Sequence, residues 1–192
     1  ASDLATNQIY MAHFALTDGR ANRHASFERF SRGAGGLAGA TGEPTYAVWL
    51  EDWSVRTLAP GVATLQASAE GEEGPLTLAL TLQETQEPLL HGNRGLSQKG
   101  PEAGNASYYY SLVQLESMGT ITHRGKVTEV TGVCWMDHEF AGSVDQPAHR
   151  FQLSRRLANC IAQLGHCFDC RTVDRCARDG SQLYLLGRRG HD

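Results

Sequence analysis

The sequence predicts an all-β protein in which antiparallel strands form a sandwich or a barrel. Apolar and polar residues alternate with a period of two in several segments of the first 140 residues, and turn-forming residues separate these segments. No segment before residue 144 has the apolar spacing of an amphipathic helix. About seven strands at this spacing are typical of a sandwich or a barrel.

The predicted strands follow one another along the chain. They lie at 8–16, 23–30, 45–55, 76–83, 106–115 and 126–140, with a last strand at 179–187. Residues 8–30 form a predicted hairpin around Asp18 and Gly19, and 31–44 is a predicted glycine-rich loop. LTLALTLQ at 76–83 alternates most regularly, so one face of this strand should pack in the core while the other faces water.

The composition of the chain changes near residue 144. Residues 1–144 contain 9 Lys and Arg against 16 Asp and Glu, a balance of −7, whereas residues 145–192 contain 8 Arg and 5 Asp, a balance of +3. We therefore predict a β domain over 1–144 and a divergent Cys- and Arg-rich segment over 145–192. One interpretation of this segment is the start of a second barrel. The apolar spacing at 150–164 predicts a helix within it.

Four of the five cysteines lie in the C-terminal segment, at Cys160, Cys167, Cys170 and Cys176. Their spacing supplies one C-x-x-C pair but not the second pair of a structural zinc site, so we predict no bound metal. Disulfides in an oxidising compartment and unpaired cysteines that act as small core residues both remain open.

Charge argues against a nucleic-acid partner, and hydropathy argues against a membrane-spanning helix. The net charge is −4, and no basic patch is interleaved with aromatic residues, so nucleic acid is not expected as a partner. No segment approaches the roughly 18 to 20 uninterrupted apolar residues that a membrane-spanning helix needs.

A cluster of titratable residues ends the predicted strand GVCWMDHEF, residues 132–140. Asp137, His138 and Glu139 follow one another there, and burying such charges is costly unless they are paired or neutralised. The cluster is therefore either solvated or functional. Strand alternation places Asp137 on the same face as Trp135 and places His138 on the opposite face.

Several segments, taken in order, resemble the carotenoid 1,2-hydratase (hydroxyneurosporene synthase) family and its relatives, the Att-type predicted secreted hydrolases. They read NQIYMAHFALTD, FERFSRG with GLAGA, VWLEDWS, HGNRGLSQKGPEAGNASYYYS and GVCWMDHEF. The resemblance implies a lipocalin-like antiparallel barrel or half-barrel that takes a hydrophobic, isoprenoid- or lipid-like ligand without a cofactor. It also implies a periplasmic or secreted protein, with peripheral contact to a membrane as a further expectation.

Hydration of an isolated carbon–carbon double bond is the activity that the resemblance implies. This reaction needs a positioned acid, and a carboxylic acid in an apolar pocket keeps its proton, which makes Asp137 the candidate acid. His138 is the candidate base, with His13 as an alternative. Aromatic rings would stabilise the carbocation. The candidate ligand-binding residues are Trp135, Trp53, Tyr108, Tyr110 and His13.

Two other functions are compatible with the same residues. The first is a non-catalytic lipid carrier, in which the WMDHEF segment forms a structural rim. The second is a hydrolase, although the sequence contains no G-x-S-x-G motif. The sequence does not predict an oligomeric state.

Overall fold

A computed structural model of the chain describes residues 9–19, 21–42, 45–141 and 181–187. The all-β prediction is confirmed, because this part of the chain contains strands in antiparallel pairs and no helix. The strands are β1 Ile9–Asp18, β2 Arg23–Arg32, β3 Ala38–Thr41, β4 Ala47–Leu50, β5 Trp53–Ala59, β6 Val62–Gly71, β7 Gly74–Glu84, β8 Leu89–Leu90, β9 Leu96–Gln98, β10 Ala106–His123, β11 Lys126–Ala141 and β12 Ser181–Gly187.

The strands form two sheets in a lipocalin-like half-barrel. A nine-stranded sheet runs in the order β11-β10-β7-β6-β5-β4-β3, with β8 and β9 paired to β10. A three-stranded sheet runs in the order β12-β1-β2. Phe14 of the small sheet packs edge-on against Trp53 of the large one, with ring centroids 5.8 Å apart. One apolar core therefore joins both sheets.

The alternation in β7 gives the core its most regular face. The side chains of Leu76, Leu78, Leu80 and Leu82 are all buried there, as the sequence predicts. Leu65 and Ala67 of the neighbouring β6 are buried beside them. Burial of an aliphatic side chain of this size stabilises the fold by roughly 1.5–3 kcal/mol.

Several elements differ from the prediction, among them the short strands β8 and β9, which were not predicted. The segment 45–55 is not one strand but two, β4 and β5, because Glu51 adopts a left-handed conformation (φ 57°) and Leu50 pairs with Trp53 across a two-residue turn. Strand β3 lies within the predicted loop 31–44. Strand β6 was not predicted, since three of its inward positions are alanines, which give a weak alternating signal.

The C-terminal segment is described only at β12, which confirms the predicted strand at 179–187 and pairs with β1. The predicted helix at 150–164 and the four-cysteine cluster lie outside the described residues. Across the described ranges, no helix is long and apolar enough to cross a membrane.

Strand β10 changes neighbours along its length. Residues Leu115 to His123 pair with β7, whereas Ala106 to Ser111 pair with β8 and β9. The change coincides with a shift in register against β11 between Leu112 and Leu115. Strand β11 accompanies β10 on both sides of this bulge. The half of the β10–β11 pair that lies beside β8 and β9 carries the candidate site.

Candidate functional site

The β10–β11 pair presents two faces with different chemistry. Register partners across an antiparallel pair project from the same face. Ser111 is the partner of Asp137, and Tyr110 is the partner of His138. We name the first side, with Tyr109, Ser111, Trp135, Asp137 and Glu139, the polar face. We name the second side, with Tyr110, Leu112, Met136 and His138, the cavity face.

Ser111 is the centre of the polar face and is fully buried, with 0% of its surface exposed. Its hydroxyl donates to the Oδ1 atom of Asp137, and its Oγ lies 2.7 Å from Nε2 of His91. Trp135 Nε1 donates to the same Asp137 oxygen at 2.8 Å. A serine hydroxyl has one proton, so with that proton directed to Asp137, the His91 Nε2–H donates to Ser111. The donors are aligned from His91 through Ser111 to Asp137.

A second carboxylate lies on the polar face beside a lysine. Oε1 of Glu139 lies 2.5 Å from Nζ of Lys99 and accepts a hydrogen bond of 2.5 Å from the Ser107 hydroxyl. Burial raises the pKa of Glu139, but the hydrogen bonds from Lys99 and Ser107 outweigh this effect, so the pKa lies below its usual value. Glu139 is therefore ionised at neutral pH.

Tyr109 contacts both His91 and Lys99 on the polar face. Its ring stacks on the His91 imidazole, with centroids 3.9 Å apart, and Lys99 Nζ lies 5.3 Å from the ring centre. Burial raises the pKa of the Tyr109 phenol, and the nearby charge of Asp137 raises it further. The polar face thus combines a neutral phenol, an imidazole, a buried hydroxyl and two carboxylates.

The cavity face borders a cavity of about 130 Å³. The side chains and backbone that line it come from Tyr46, Val55, Thr57, Gly61, Ala63, Leu82, Glu84, Tyr110, Leu112, Leu115 and Met136. His138 lies beside two of these residues: its Nδ1 is 2.7 Å from the hydroxyl of Tyr110, and its ring centroid is 6.0 Å from that of Tyr46. Burial lowers the pKa of His138 from 6.5 to about 4, so the imidazole is neutral at pH 7.

In the described ranges, no group of three or more His, Cys, Asp or Glu side chains lies close enough together to hold an ion.

Comparison with known proteins assigns the chain to a family. The AttH-like family model matches residues 1–151 of the chain. The chain belongs to the AttH-like family. Among solved structures, the AttH-like chain is similar to one from Nitrosomonas europaea assigned to AttH, with 23% identity and a TM-score of 0.57. The match covers 73% of this chain and 53% of the solved one, so the chain spans about half the length of that relative. No curated protein matches the chain.

The AttH-like fold separates the residues that the sequence groups as one site. Trp135 and Asp137 are in direct contact on the polar face, whereas Tyr110 and His138 lie on the opposite, cavity face. Tyr108 also belongs to the cavity side of β10, since it is two residues from Tyr110, and it is exposed at the rim of the sheet.

Two further predicted residues lie away from the β10–β11 pair. Trp53 is buried in the core, and its Nε1 donates to the Ser68 carbonyl oxygen at 2.6 Å. His13 lies on β1, with its Nε2 atom 3.9 Å from an oxygen of Glu28.

Sequence reasoning did not select His91 or Ser111 as site residues in the AttH-like chain. Ser111 donates to Asp137 and His91 bonds to Ser111, yet His91 and Ser111 precede Asp137 by 46 and 26 positions. Their one signal is that both occur in the segment HGNRGLSQKGPEAGNASYYYS, which carries part of the family resemblance.

Proposed function

We propose that the protein binds a hydrophobic, isoprenoid- or lipid-like ligand and holds one end of it in the cavity beside β10 and β11. The composition of the cavity wall carries this proposal. Aliphatic and aromatic side chains form most of the wall, including Leu82, Leu112 and Met136, while Thr57 and Glu84 add polar groups. A mainly apolar wall with a few polar groups is typical of small-molecule sites.

The size and charge of the cavity define the part of the ligand that enters. Its volume of about 130 Å³ is smaller than the roughly 300–1,000 Å³ of sites that enclose a whole drug-sized molecule, so one end of a longer ligand fits. The neutral His138 and its partner Tyr110 add no charge to this wall, in which Glu84 is the one acidic side chain. Both features favour an uncharged, apolar end.

Filling the cavity tests the proposal. Ala63 on β6 lines the cavity, whereas Ala69 lies on the same face of β6 but not in the cavity wall. We expect Ala63→Phe to weaken geraniol binding at least tenfold in isothermal titration calorimetry, because the new ring occupies the space of the ligand. Ala69→Phe is the matched control. If the wild type and Ala63→Phe bind geraniol with equal affinity and have the same far-UV circular dichroism spectrum, the cavity is not the binding site.

Hydration of an isolated double bond is a finer and separate proposal. It needs a second substrate position on the polar face, because Asp137 and the cavity lie on opposite sides of the β10–β11 pair. The alignment of donors from His91 through Ser111 to Asp137 favours it. In this proposal Asp137 carries a proton on Oδ2 once an apolar substrate covers it, while Oδ1 accepts from Ser111 and Trp135. Asp137 protonates the alkene and becomes a carboxylate, the ring of Trp135 stabilises the tertiary cation by roughly 0.5–2 kcal/mol, and water adds to the cation. His91, whose Nε2–H donates to Ser111, accepts at Nδ1 the proton that the water releases. The hydrogen bonds from His91 through Ser111 return this proton to Asp137, so the acid is restored and one water is consumed. His138 takes no part in this scheme, because it lies on the other face.

Product analysis tests the hydration proposal. We expect farnesol to yield a product heavier by one water in mass spectrometry. Asp137→Asn should abolish this product, and Ser111→Ala should slow its formation because the proton return is interrupted. Asp52→Asn, a change in the β4–β5 turn, is the control. If ligands bind in the cavity and no hydrated product forms with the wild type, the protein acts as a carrier.

A hydrolase is the remaining alternative, and one contact favours it. The 2.7 Å between Ser111 Oγ and His91 Nε2 is the distance of a nucleophile and its base. However, Ser111 is fully buried, so a substrate carbonyl has no access to its oxygen in this arrangement. Labelling of Ser111 by a fluorophosphonate probe would favour the hydrolase over the hydratase and the carrier.

A further inference from the structure

We propose that Glu84 makes the mouth of the cavity a site for a cationic head group, so that the preferred ligand is an amphiphile with an ammonium group next to its apolar end. The apolar end fills the cavity, and the ammonium group lies at the mouth beside the Glu84 carboxylate. This inference deepens the proposed function and rests on the binding of a ligand end in the cavity.

Strand register places Glu84 next to the apolar part of the cavity wall. Thr57, Ala63 and Leu82 are register partners across β5, β6 and β7, and they form one row of that wall. Glu84 follows Leu82 by two positions, so both side chains project from the same face of β7. Glu84 is also the last residue of β7. Its side chain therefore lies one row beyond Ala63, toward the end of the sheet.

Burial identifies the position of Glu84 as the mouth of the cavity. Leu82 and Leu115, the register partner of Glu84 on β10, are both 3% exposed. Glu84 itself is exposed, although it lines the cavity. Its backbone N–H donates to the carbonyl oxygen of Gly61, another residue of the wall, at 2.7 Å. The wall therefore changes at Glu84 from buried and apolar to exposed and acidic.

The charge of Glu84 is not balanced by a neighbouring cation. Glu73 and Glu139, which are also partly exposed, pair with Arg124 and Lys99. Among the residues that the structure describes, no Lys, Arg or His side chain forms an ion pair with Glu84. The other residues of the cavity wall are uncharged. A ligand that enters the cavity therefore meets one negative charge and no positive charge in its wall.

Two tyrosines in the wall provide a second attraction for a cation. Tyr46 and Tyr110 both line the cavity. Tyr46 lies beside Thr57, because its carbonyl oxygen accepts a hydrogen bond of 2.8 Å from the Thr57 backbone N–H. The face of a tyrosine ring attracts an ammonium group within about 6 Å of its centre. A carboxylate and two phenol rings around an apolar cavity therefore favour an alkylammonium ligand over an alcohol, and an alcohol over a carboxylate.

Three ligands with the same apolar tail test this preference. Geranylamine, geraniol and geranic acid differ at pH 7 in the charge of the head group, which is positive, neutral and negative. We expect isothermal titration calorimetry of the wild type at low salt to give affinities that fall in this order. Geranylamine should bind about fivefold more tightly than geraniol, because an exposed ion pair and a cation–π contact are each weak. High salt should reduce the preference, since it screens exposed charges.

Variants at Glu84 identify the source of the preference. Glu84→Gln should reduce the preference for geranylamine over geraniol to less than twofold, and Glu84→Lys should bind geranic acid more tightly than geranylamine. Glu116→Gln is the matched control and should retain the wild-type preference. Glu116 is exposed and follows the buried Leu115, so it lies on the opposite face of the sheet.

The outcomes distinguish this inference from the proposed cavity site. If the wild type binds geraniol and geranylamine with equal affinity, or if Glu84→Gln retains the preference, the inference is wrong and the cavity site stands. If the wild type binds none of the three ligands, the cavity site and this inference are both wrong.

Discussion

Among single residues, His138 shows most directly how burial sets charge. Its pKa falls from 6.5 to about 4 because the folded protein removes the imidazole from water. Between these two values the unfolded chain binds a proton that the folded chain does not. The stability that the neutral His138 contributes is therefore fully present above pH 6.5 and is lost as the pH falls toward 4.

The size of this loss can be measured. The pKa difference corresponds to about 3 kcal/mol of unfolding free energy, lost between pH 6.5 and 4. Urea unfolding of the wild type at a series of pH values should show this loss as a slope of the unfolding free energy against pH. His138→Gln should remove most of the slope, because glutamine does not titrate, whereas the exposed His24→Gln should retain it. An unchanged slope in His138→Gln would show that another group is responsible.

Period-two alternation also explains how far the site could be predicted. It places Asp137 and His138 on opposite faces, and the register of β10 against β11 agrees with this. Alternation says nothing about which residues approach from other strands. His91 reaches Ser111 only because β8 pairs with β10, a contact that depends on the whole sheet.

Among the strands, β10 determines the shape of the site because it pairs with two different neighbours. At Gly119 it lies so close to β7 that a Cβ atom would be 2.9 Å from the Cα of Leu80. Backbone atoms cannot move aside as the end of a side chain can. The glycine therefore permits the pairing that holds the longer half of β10.

We predict that Gly119→Ala destabilises the protein by about 1–3 kcal/mol, since the methyl group must separate the two strands. Chemical denaturation of the variant measures the loss. Gly71→Ala is the matched control, because a Cβ there would meet the ring of Phe27 at 3.3 Å and the Gly74 carbonyl oxygen at 3.4 Å, and no atom closer than these. A similar small effect of both substitutions would mean that the strands tolerate the extra methyl group.

Predictability varies among the strands for a physical reason. Strand β7 was predicted because leucines occupy every inward position, whereas the division of 45–55 depends on one left-handed residue, Glu51. Glutamate is not a typical turn residue, so the composition of this segment does not predict the turn. The short strands β8 and β9 lie in a polar, glycine-rich stretch and depend on pairing with β10.

At the scale of the whole molecule, Arg29 of β2 joins the small sheet to the large one. Its guanidinium lies 4.5 Å from the ring centre of Trp53 and donates to the Ser68 carbonyl oxygen at 3.0 Å. Trp53 donates to the same oxygen at 2.6 Å. Arg29 also pairs with Asp52, whose side chain is 53% exposed, so solvent screens this ion pair.

The two kinds of contact should therefore differ in their contribution to stability. We predict that Arg29→Ala lowers the free energy of unfolding by about 2 kcal/mol, because a charged hydrogen bond and a cation–π contact are lost together. Asp52→Asn should change it by less than about 1 kcal/mol, as expected for an exposed ion pair. Thermal unfolding followed by near-UV and far-UV circular dichroism measures both variants.

If Arg29 joins the sheets, the two signals should coincide in the wild type, since both sheets unfold in one transition. A near-UV transition that precedes the far-UV transition in the wild type would instead show that the small sheet separates first.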